Sequence, residues 1–539
     1  MTAKMQYRPQ NGLQHKIPDE DIRIELGLID FIVGEREQYC DNSKEIKMIY
    51  VKDFGAKGDG ITNDSSAIRK AITVLRHLPK GSTLVFEPNT TYYVSSGKYA
   101  LDLRDLHGAN ICGNNTIILA KPIMSLCRIK ECSDITVSGL TFDYKTKPYA
   151  IADVISVFQD GIIRIRTNKS LNIRGTYKQP VPDYFGLVDR SDGRYHVGIT
   201  TYKVVNHEQN IYDVKCNNIF AQRDERIKMM KNEKYRFIVP MPHVGQVIEQ
   251  ALTVVNNENI TMIDCNVCCA AKFMFFVRGN RGFVFFKNVN VEPSQSDTDM
   301  PIVGWRDGFY CRDNRAKIIW EDCKVELLCD DILNISASIL QVQQVNEGLI
   351  SLYWQEKGLP YDVVEIGDEI TFFNTDTGEM LGKGKISSVD VYDAHIDVRL
   401  EKEIDGICSM PSCKAVVNTL AAPNSVIRNC NFHGTFRFHA PLYIKESTIH
   451  VTRMWIDIET PIEGPIANNI LFSNCALSFD DDMNKYIHVD SKNKKWESAD
   501  NPYKVENIVF YNCNMRKDAV QYGKVEEKYG AVRFLESDN

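Results

Sequence analysis

One short pattern, repeated along the chain, constrains its fold more than any other feature. An apolar run alternates with period two, meets Asn or Asp followed by Cys or another residue, and then resumes briefly. It reads SDITVSGLTF (133–142), ENITMIDCNV (258–267), RGFVFFKNVNV (281–291), RAKIIWEDCKV (315–325), NSVIRNCNF (424–432), NNILFSNCAL (468–477) and ENIVFYNCNM (506–515). Period-two alternation makes each run a strand. The runs are not joined as hairpins, and Ile260 and Phe283 lie 23 residues apart. They are therefore expected to be successive rungs of a coil. One rung cannot bury its inner face alone, so rungs stack ~4.8 Å apart and share a core. Cys265, Cys323, Cys430, Cys475 and Cys513 hold the same place in five repeats. They are expected to stack as buried thiols rather than to bind metal or form disulfides.

The fold class that follows is all-β. It is a right-handed parallel β-helix with an N-terminal capping helix and inserted small antiparallel β-subdomains. The segment NDSSAIRKAITVLRHL has a polar start and helical spacing at Ile68, Ile72 and Leu75, which suits a helix closing the open end of the coil. Two regions break the repeat with hairpin-like strands, one of them turning at TDTGE. The expected division is 1–46 as N-terminal extension, 47–149 as cap and first coils, and 150–240 as an inserted β-subdomain. Residues 241–335 form the central coils with the catalytic site, 336–420 an inserted β-barrel-like subdomain, and 421–539 the C-terminal coils.

Composition narrows the function. The net charge of −7 supplies no basic face for nucleic acid. No run of 18 apolar residues occurs, so a membrane span is not expected. No secretory leader is visible, and sixteen cysteines without a dense framework suit reduced thiols, so a cytoplasmic setting is expected. CNVCC (Cys265, Cys268, Cys269) is half of a zinc pattern without its second half. Asp53, Asp59 and Asp64 sit beside glycines and at a helix start, where turn and cap roles outweigh calcium binding.

The acidic residues of GWRDGFYCRDNRAKIIWEDCKVELLCDDILNIS (304–336) are spaced differently. Asp307 precedes Asp331 by 24 residues, about one coil, so the two should stack. Asp330 is adjacent to Asp331, and on a regular strand it would face the other way. The backbone must bend there if both are to reach one cleft. Trp305 and Arg306 precede Asp307. Arg278 is placed about one coil before Arg306. Asn334 follows the pair, either to bind a hydroxyl or to join an asparagine ladder. His243 is a lone histidine. His433, Arg437 and His439 alternate on one strand face.

The segment DFGAKGDGITNDSSAIRKAI resembles the opening of the pectate-lyase-like β-helix superfamily, a motif that speaks to fold far more than to activity. Residues 240–345, and more weakly 420–475, resemble glycoside hydrolase family 110, which contains exo-acting, inverting α-1,3-galactosidases on a β-helix with inserted β-barrels. The family's Asp-Gly, its Asp-Asp pair and the Asn three residues on are matched by Asp307-Gly308, Asp330-Asp331 and Asn334. DGFY and NISA depart from the family's DGIH-like and NVHG runs. Arg437 in HGTFRFHAP and Glu463 in ETPIEGP are looser matches.

The resemblance implies Asp307, Asp330 and Asp331 as catalytic residues. Asp330 would be the general acid, with Asp307 and Asp331 positioning and deprotonating water. Trp305, Arg306, Arg278, Asn334, His243, Arg437 and Glu463 would contact the substrate. No cofactor and no metal are called for. The expected partner is an oligosaccharide or glycan, with no nucleic acid and no membrane, and the oligomeric state is left open, a homodimer being the one assembly considered. Two other readings stand beside this one. One is a calcium-dependent polysaccharide lyase using the acidic group as its calcium site, and the other is a non-catalytic carbohydrate-binding β-helix.

Overall fold

The computed structural model describes residues 19–28, 45–158 without 122–123, strands and short links between 162 and 240, 250–294 without 271, 303–354 without 305, 364–457 without 394, 463–479, 486–491 and 499–536. Its backbone is a parallel β-helix. One face is an unbroken parallel ladder running Asn110–Ala120, Ser133–Tyr144, Glu258–Val267, Arg281–Val291, Lys317–Glu321, Ser425–Arg428, Leu442–Lys445, Asn468–Ser473, Glu506–Tyr511 and Val532–Leu535. A second ladder links Ser125–Lys130, Leu252–Val255, Phe275–Arg278, Phe309–Arg312, the start of Asp331–Asn346, Asn431–Phe438, Thr448–Ile456 and Ile487–Val489.

The Asn or Asp of the repeat is explained by backbone conformation. Asn259 and Asp264, Asn424 and Asn429, Asn469 and Asn474, and Asn507 and Asn512 all have φ between 50° and 61°. These left-handed residues bound a short strand on both sides, and Asn and Asp tolerate that region best after glycine. Corner side chains also join neighbouring coils, as Asn288 Nδ2 to Asp264 Oδ1 (2.7 Å), Asn429 to Asp322 (2.6 Å) and Asn507 to Asn469 (2.9 Å). The cysteine after each corner turns inward. Its thiol donates to the carbonyl two residues back, at 3.3–3.4 Å for Cys265, Cys323, Cys430, Cys475 and Cys513. All five are free thiols, buried except for half-buried Cys513.

A buried asparagine ladder runs along the largely apolar core. Asn257, Asn280 and Asn314 are 3%, 1% and 0% exposed, so each amide must be paired. Asn257 N donates to Asn280 Oδ1 (3.0 Å), and Asn280 N to Asn314 Oδ1 (3.2 Å). Aromatic rings stack along the same axis, with Phe275 on Phe309 at 4.5 Å and Phe472 on Phe510 at 4.6 Å.

The helix Ser65–Leu75 buries Ile68, Ala71, Ile72 and Leu75 over the first coils. Asp64 takes the N-cap position, but its carboxylate accepts from Lys57 N (2.7 Å) and Gly58 N (3.1 Å), closing the preceding turn. Asp59 likewise binds Ile61 N and Thr62 N, and these hydrogen bonds, led by Thr62, lower its carboxyl to about 2. A second helix, Asp19–Glu25, lies outside the coil. Ile22, Leu26 and Leu28 cover Ile319, Val426, Tyr443, Leu471 and Val509.

Both interruptions of the repeat are antiparallel. The first forms a seven-stranded sheet from strands between Tyr149–Val157 and Tyr235–Pro240. The second begins inside a coil strand. Asp331–Asn346 pairs in parallel through Ser336, then runs on to pair antiparallel with Leu349–Trp354 and Cys413–Val417. With His395–Leu400, Met380–Val391 and Glu369–Asn374 these strands close a six-membered ring of pairings. Among the described residues no helix is long and apolar enough to cross a membrane.

Candidate active site

The three aspartates are brought to one side of the coil by a β-bulge. Phe309 pairs with Leu333 and Tyr310 with Asn334, an offset of 24 that also places Asp307 below Asp331. Gly308 N donates to Asp331 O at 2.8 Å. Phe309, Cys311, Leu333 and Ile335 face the core, so regular alternation would send Asp331 inward with Leu333. The register breaks there. Asp331 pairs with Thr435 of the following coil but Leu333 with Phe436, leaving Ile332 as the extra residue. Ile332 and Leu333 both enter the core, and Asp331 is turned out towards Arg437. This is the bend that the Asp-Asp pair required.

The bulge also accounts for the glycine in Asp-Gly. A Cβ on Gly308 would lie 2.6 Å from the Ile332 carbonyl oxygen. On the opposite side, a Cβ on Gly434 (φ 148°) would lie 2.7 Å from Ile332 Cγ1. Glycine on both flanking coils leaves room for the bulge that aims Asp331.

Around the carboxylates the charges are layered. Asp307 is 4% exposed. The Asp331 side chain is 5% exposed and that of Asp330 28%, so Asp330 is the one that reaches the mouth of the site. Arg306 Nη1 lies 3.3 Å from Asp330 Oδ2. Arg437 Nε lies 3.2 Å from Asp331 Oδ2 and 3.9 Å from Glu463 Oε2. Glu463 enters on the short strand Glu463–Gly464, antiparallel to Ala337–Ser338. Asn334 Nδ2 is 3.4 Å from both its oxygens, and the Tyr310 hydroxyl is 3.5 Å from Oε1. Arg312 donates to Tyr310 Oη (2.8 Å) and to Ser338 Oγ (3.0 Å). The amide oxygen of Asn334, a residue 4% exposed, accepts no hydrogen bond from the described residues.

Burial is the largest influence on all three aspartates, and it favours the neutral carboxyl. Asp307 is pushed well above its usual range by burial and then by the charges of Asp330, Asp331 and Glu463. Asp331 is raised to about 7 by burial and Asp330, against the opposing pull of Arg437. Asp330 is raised by burial while Arg306 resists. The cluster therefore keeps protons near neutrality that isolated aspartates would have lost.

The structure thus gathers Asp307, Asp330, Asp331, Arg306, Asn334, Arg437 and Glu463. Trp305 and His243 lie outside the described residues. Arg278 does not lie beneath Arg306. It pairs in register with Arg312, and its Nη2 binds Asp313 Oδ2 at 2.9 Å. Asn334 stands apart from the asparagine ladder and faces Glu463. Of the three polar residues expected on one strand face, only Arg437 meets the carboxylates. His433 packs against the His450 ring at 4.3 Å, and His439, past the strand end, is fully buried with Nδ1 2.7 Å from Asp457 O.

Tyr310 and Arg312 were missed from sequence. Counting 24 back from Asn334, the offset that links Asp331 to Asp307, would have found Tyr310. In-register pairing extends this outward row as Phe276, Tyr310, Asn334, Arg437, Trp455 and His488. Trp455 stacks on His488 at 4.2 Å.

Residues 48–128 match the family described as "Rhamnogalacturonase A/epimerase, pectate lyase-like". Over 171 residues, 30% of this chain, the protein is 33% identical to Alginate lyase 7 of Azotobacter vinelandii, and covers 18% of that protein's length. Among solved structures it is similar to the Family 28 exopolygalacturonase of Yersinia enterocolitica (12% identity over 92% of this chain and 78% of that one, TM-score 0.36). It is also similar to a hyperthermoactive exopolygalacturonase from Thermotoga maritima (8%, 96% and 96%, TM-score 0.34). With likenesses this weak, the β-helix assignment rests on the strand register itself.

Proposed function

We propose that the protein is an inverting, metal-independent exo-glycosidase acting on a terminal α-linked sugar of an oligosaccharide or glycan. The observation that carries this reading is the bulge at Ile332, which turns Asp331 out beside Asp307 and Asp330 where alternation would have buried it. Glycoside hydrolysis needs a proton donor for the leaving oxygen and a carboxylate to activate water. Asp330, raised and reaching the mouth of the site, donates the proton. Asp331, stacked one coil above Asp307, takes the proton of the attacking water, and Asp307, held protonated by burial and its acidic neighbours, positions that water. Arg437 balances the charge that Asp331 and Glu463 carry, and the buried Asn334 amide oxygen offers an acceptor for a sugar hydroxyl. Galactose is the proposed sugar on the family 110 resemblance of Asp307-Gly308, Asp330-Asp331 and Asn334.

Supporting data would be release of the terminal sugar from α-galactosyl oligosaccharides, unchanged by a chelator and lowered at least about 10³-fold by Asp330→Asn. Activity that disappears with chelation would sink the metal-independent mechanism.

A second reading is favoured by the partial identity to an alginate lyase. In a polysaccharide lyase, Arg306, Arg312 and Arg437 would face a uronate carboxylate. Ultraviolet absorbance from an unsaturated product, dependent on calcium, would establish that reading in place of hydrolysis.

A further inference from the structure

A chain of hydrogen bonds leads from the coil into the carboxylate site. Arg278 Nη2 binds Asp313 Oδ2 (2.9 Å), and Asp313 accepts from Ser338 N (2.7 Å) and Ser338 Oγ (2.8 Å). Arg312 donates from Nε to Ser338 Oγ (3.0 Å) and from Nη1 to Tyr310 Oη (2.8 Å). Tyr310 Oη lies 3.5 Å from Glu463 Oε1. Glu463 Oε2 lies 3.9 Å from Arg437 Nε, which is also 3.2 Å from Asp331 Oδ2. Asp313, Ser338, Arg312, Glu463 and Asp331 are all buried.

The protons in this chain have one direction. A guanidinium has donors and no acceptor. Ser338 gives its hydroxyl proton to Asp313 and accepts from Arg312. Tyr310 likewise accepts from Arg312, which directs its own proton to Glu463 Oε1. Burial pushes the phenol up, so that proton stays on Tyr310. Asn334 Nδ2 is a second donor, 3.4 Å from both Glu463 oxygens. Held by these two, Glu463 stops outside hydrogen-bond range of Arg437, and Asp331 keeps the closer contact. The less Glu463 draws on Arg437, the more Arg437 acts on Asp331.

We propose that Arg312 and Tyr310 are positioning residues which, acting through Glu463, fix how Arg437 is shared between Glu463 and Asp331. That the sharing tunes a catalytic base rests on the hydrolase reading above, whereas the coupling itself does not. Asp331 also faces Asp307 one coil below and Asp330 beside it, Arg306 pairs with Asp330, and Asp457 acts on Arg437. All of these stay in place in the variants that test the idea. Tyr310→Phe keeps the ring that stacks on Phe273 (4.6 Å) and removes only the hydroxyl. Glu463 then closes on Arg437, and Asp331 loses part of its counter-charge. Glu463→Gln instead removes a neighbouring negative charge and leaves Arg437 to Asp331.

The pH dependence of kcat/KM, with chelator present, would be compared for wild type, both single variants and the double variant, after thermal midpoints have shown each to be folded. The acidic limb is expected to rise by about 1 pH unit in Tyr310→Phe and to fall by about 1 unit in Glu463→Gln. The double variant is expected to behave as Glu463→Gln alone, because Tyr310 acts through Glu463. Loss of packing would not move the limb in opposite directions. The same proteins, carrying carbon-13 at the aspartate carboxyls and assigned with Asp331→Asn, report the Asp331 titration by NMR whether or not any glycan is hydrolysed. The expected NMR shifts without hydrolysis would end the hydrolase reading and support the coupling. An Asp331 midpoint unmoved by either single variant, moved the same way by both, or moved additively in the double variant would overturn the proposal.

Discussion

Asp307 carries the site's electrostatic cost most plainly. It is buried, and the charges acting on it most strongly are all carboxylates. A carboxyl raised in the folded chain holds its proton where the unfolded chain has released it. Folding is therefore opposed as pH climbs above the ordinary carboxylate value, with nothing lost below it. For Asp331 the window runs from about 4 to about 7. Asp307→Asn is accordingly expected to leave stability unchanged at pH 4 and to raise it by on the order of 1 kcal/mol or more at pH 8, while activity falls by about 10²–10⁴-fold. Denaturant unfolding at the two pH values checks this, and a variant less stable than wild type at pH 8 would contradict it. The Asp307/Asp331 stacking was legible because 24 residues is one coil. Arg278 was misplaced because loops make coil lengths unequal, so that a count from Arg306 missed its true neighbour, Arg312. His439 looked like part of an exposed alternation, but the strand ends at Phe438 and the next residue turns inside.

Among the elements, the strand Asp331–Asn346 links site to scaffold. It begins at a carboxylate of the candidate site, bulges at Ile332, builds one coil and leaves to found the inserted barrel. Gly308 and Gly434 make the bulge possible, so their replacement should move Asp331 without touching substrate. Gly308→Ala is expected to lower kcat by about 10²-fold, the effect of a displacement of about 1 Å at a reacting group. Phe309→Ala, the next residue, removes a stacked core ring and should cost about 3–5 kcal/mol of stability. Steady-state kinetics with thermal melts separates the two, and a Gly308→Ala protein of wild-type kcat would refute the role given to the bulge. Sequence could demand a bend at Asp330-Asp331. It could not locate the bulge, because a bulge is a mismatch of register between strands a hundred residues apart.

At the scale of the whole molecule, stability is shared between an apolar core and polar ladders at its corners. The repeat revealed the coil because each rung must solve the same problem, a left-handed corner followed by an inward small residue. The buried ladder of Asn257, Asn280 and Asn314 lay outside the repeats first recognised, and closure of the inserted barrel depends on strand pairings that no local pattern encodes. Asn280→Ala would take the acceptor from Asn257 N and break the ladder at its centre. Its expected cost is at least about 2 kcal/mol, measured by equilibrium denaturation, and a loss below about 0.5 kcal/mol would show that the ladder is not structural. The central claim, that this coil presents one carboxylate group as an inverting hydrolase, is tested most directly by proton NMR of the sugar released from α-1,3-galactosyl oligosaccharides. Wild type with chelator present should release β-galactose first, and Asp330→Asn should release none. First release of the α-anomer, or equal turnover by Asp330→Asn, would contradict it.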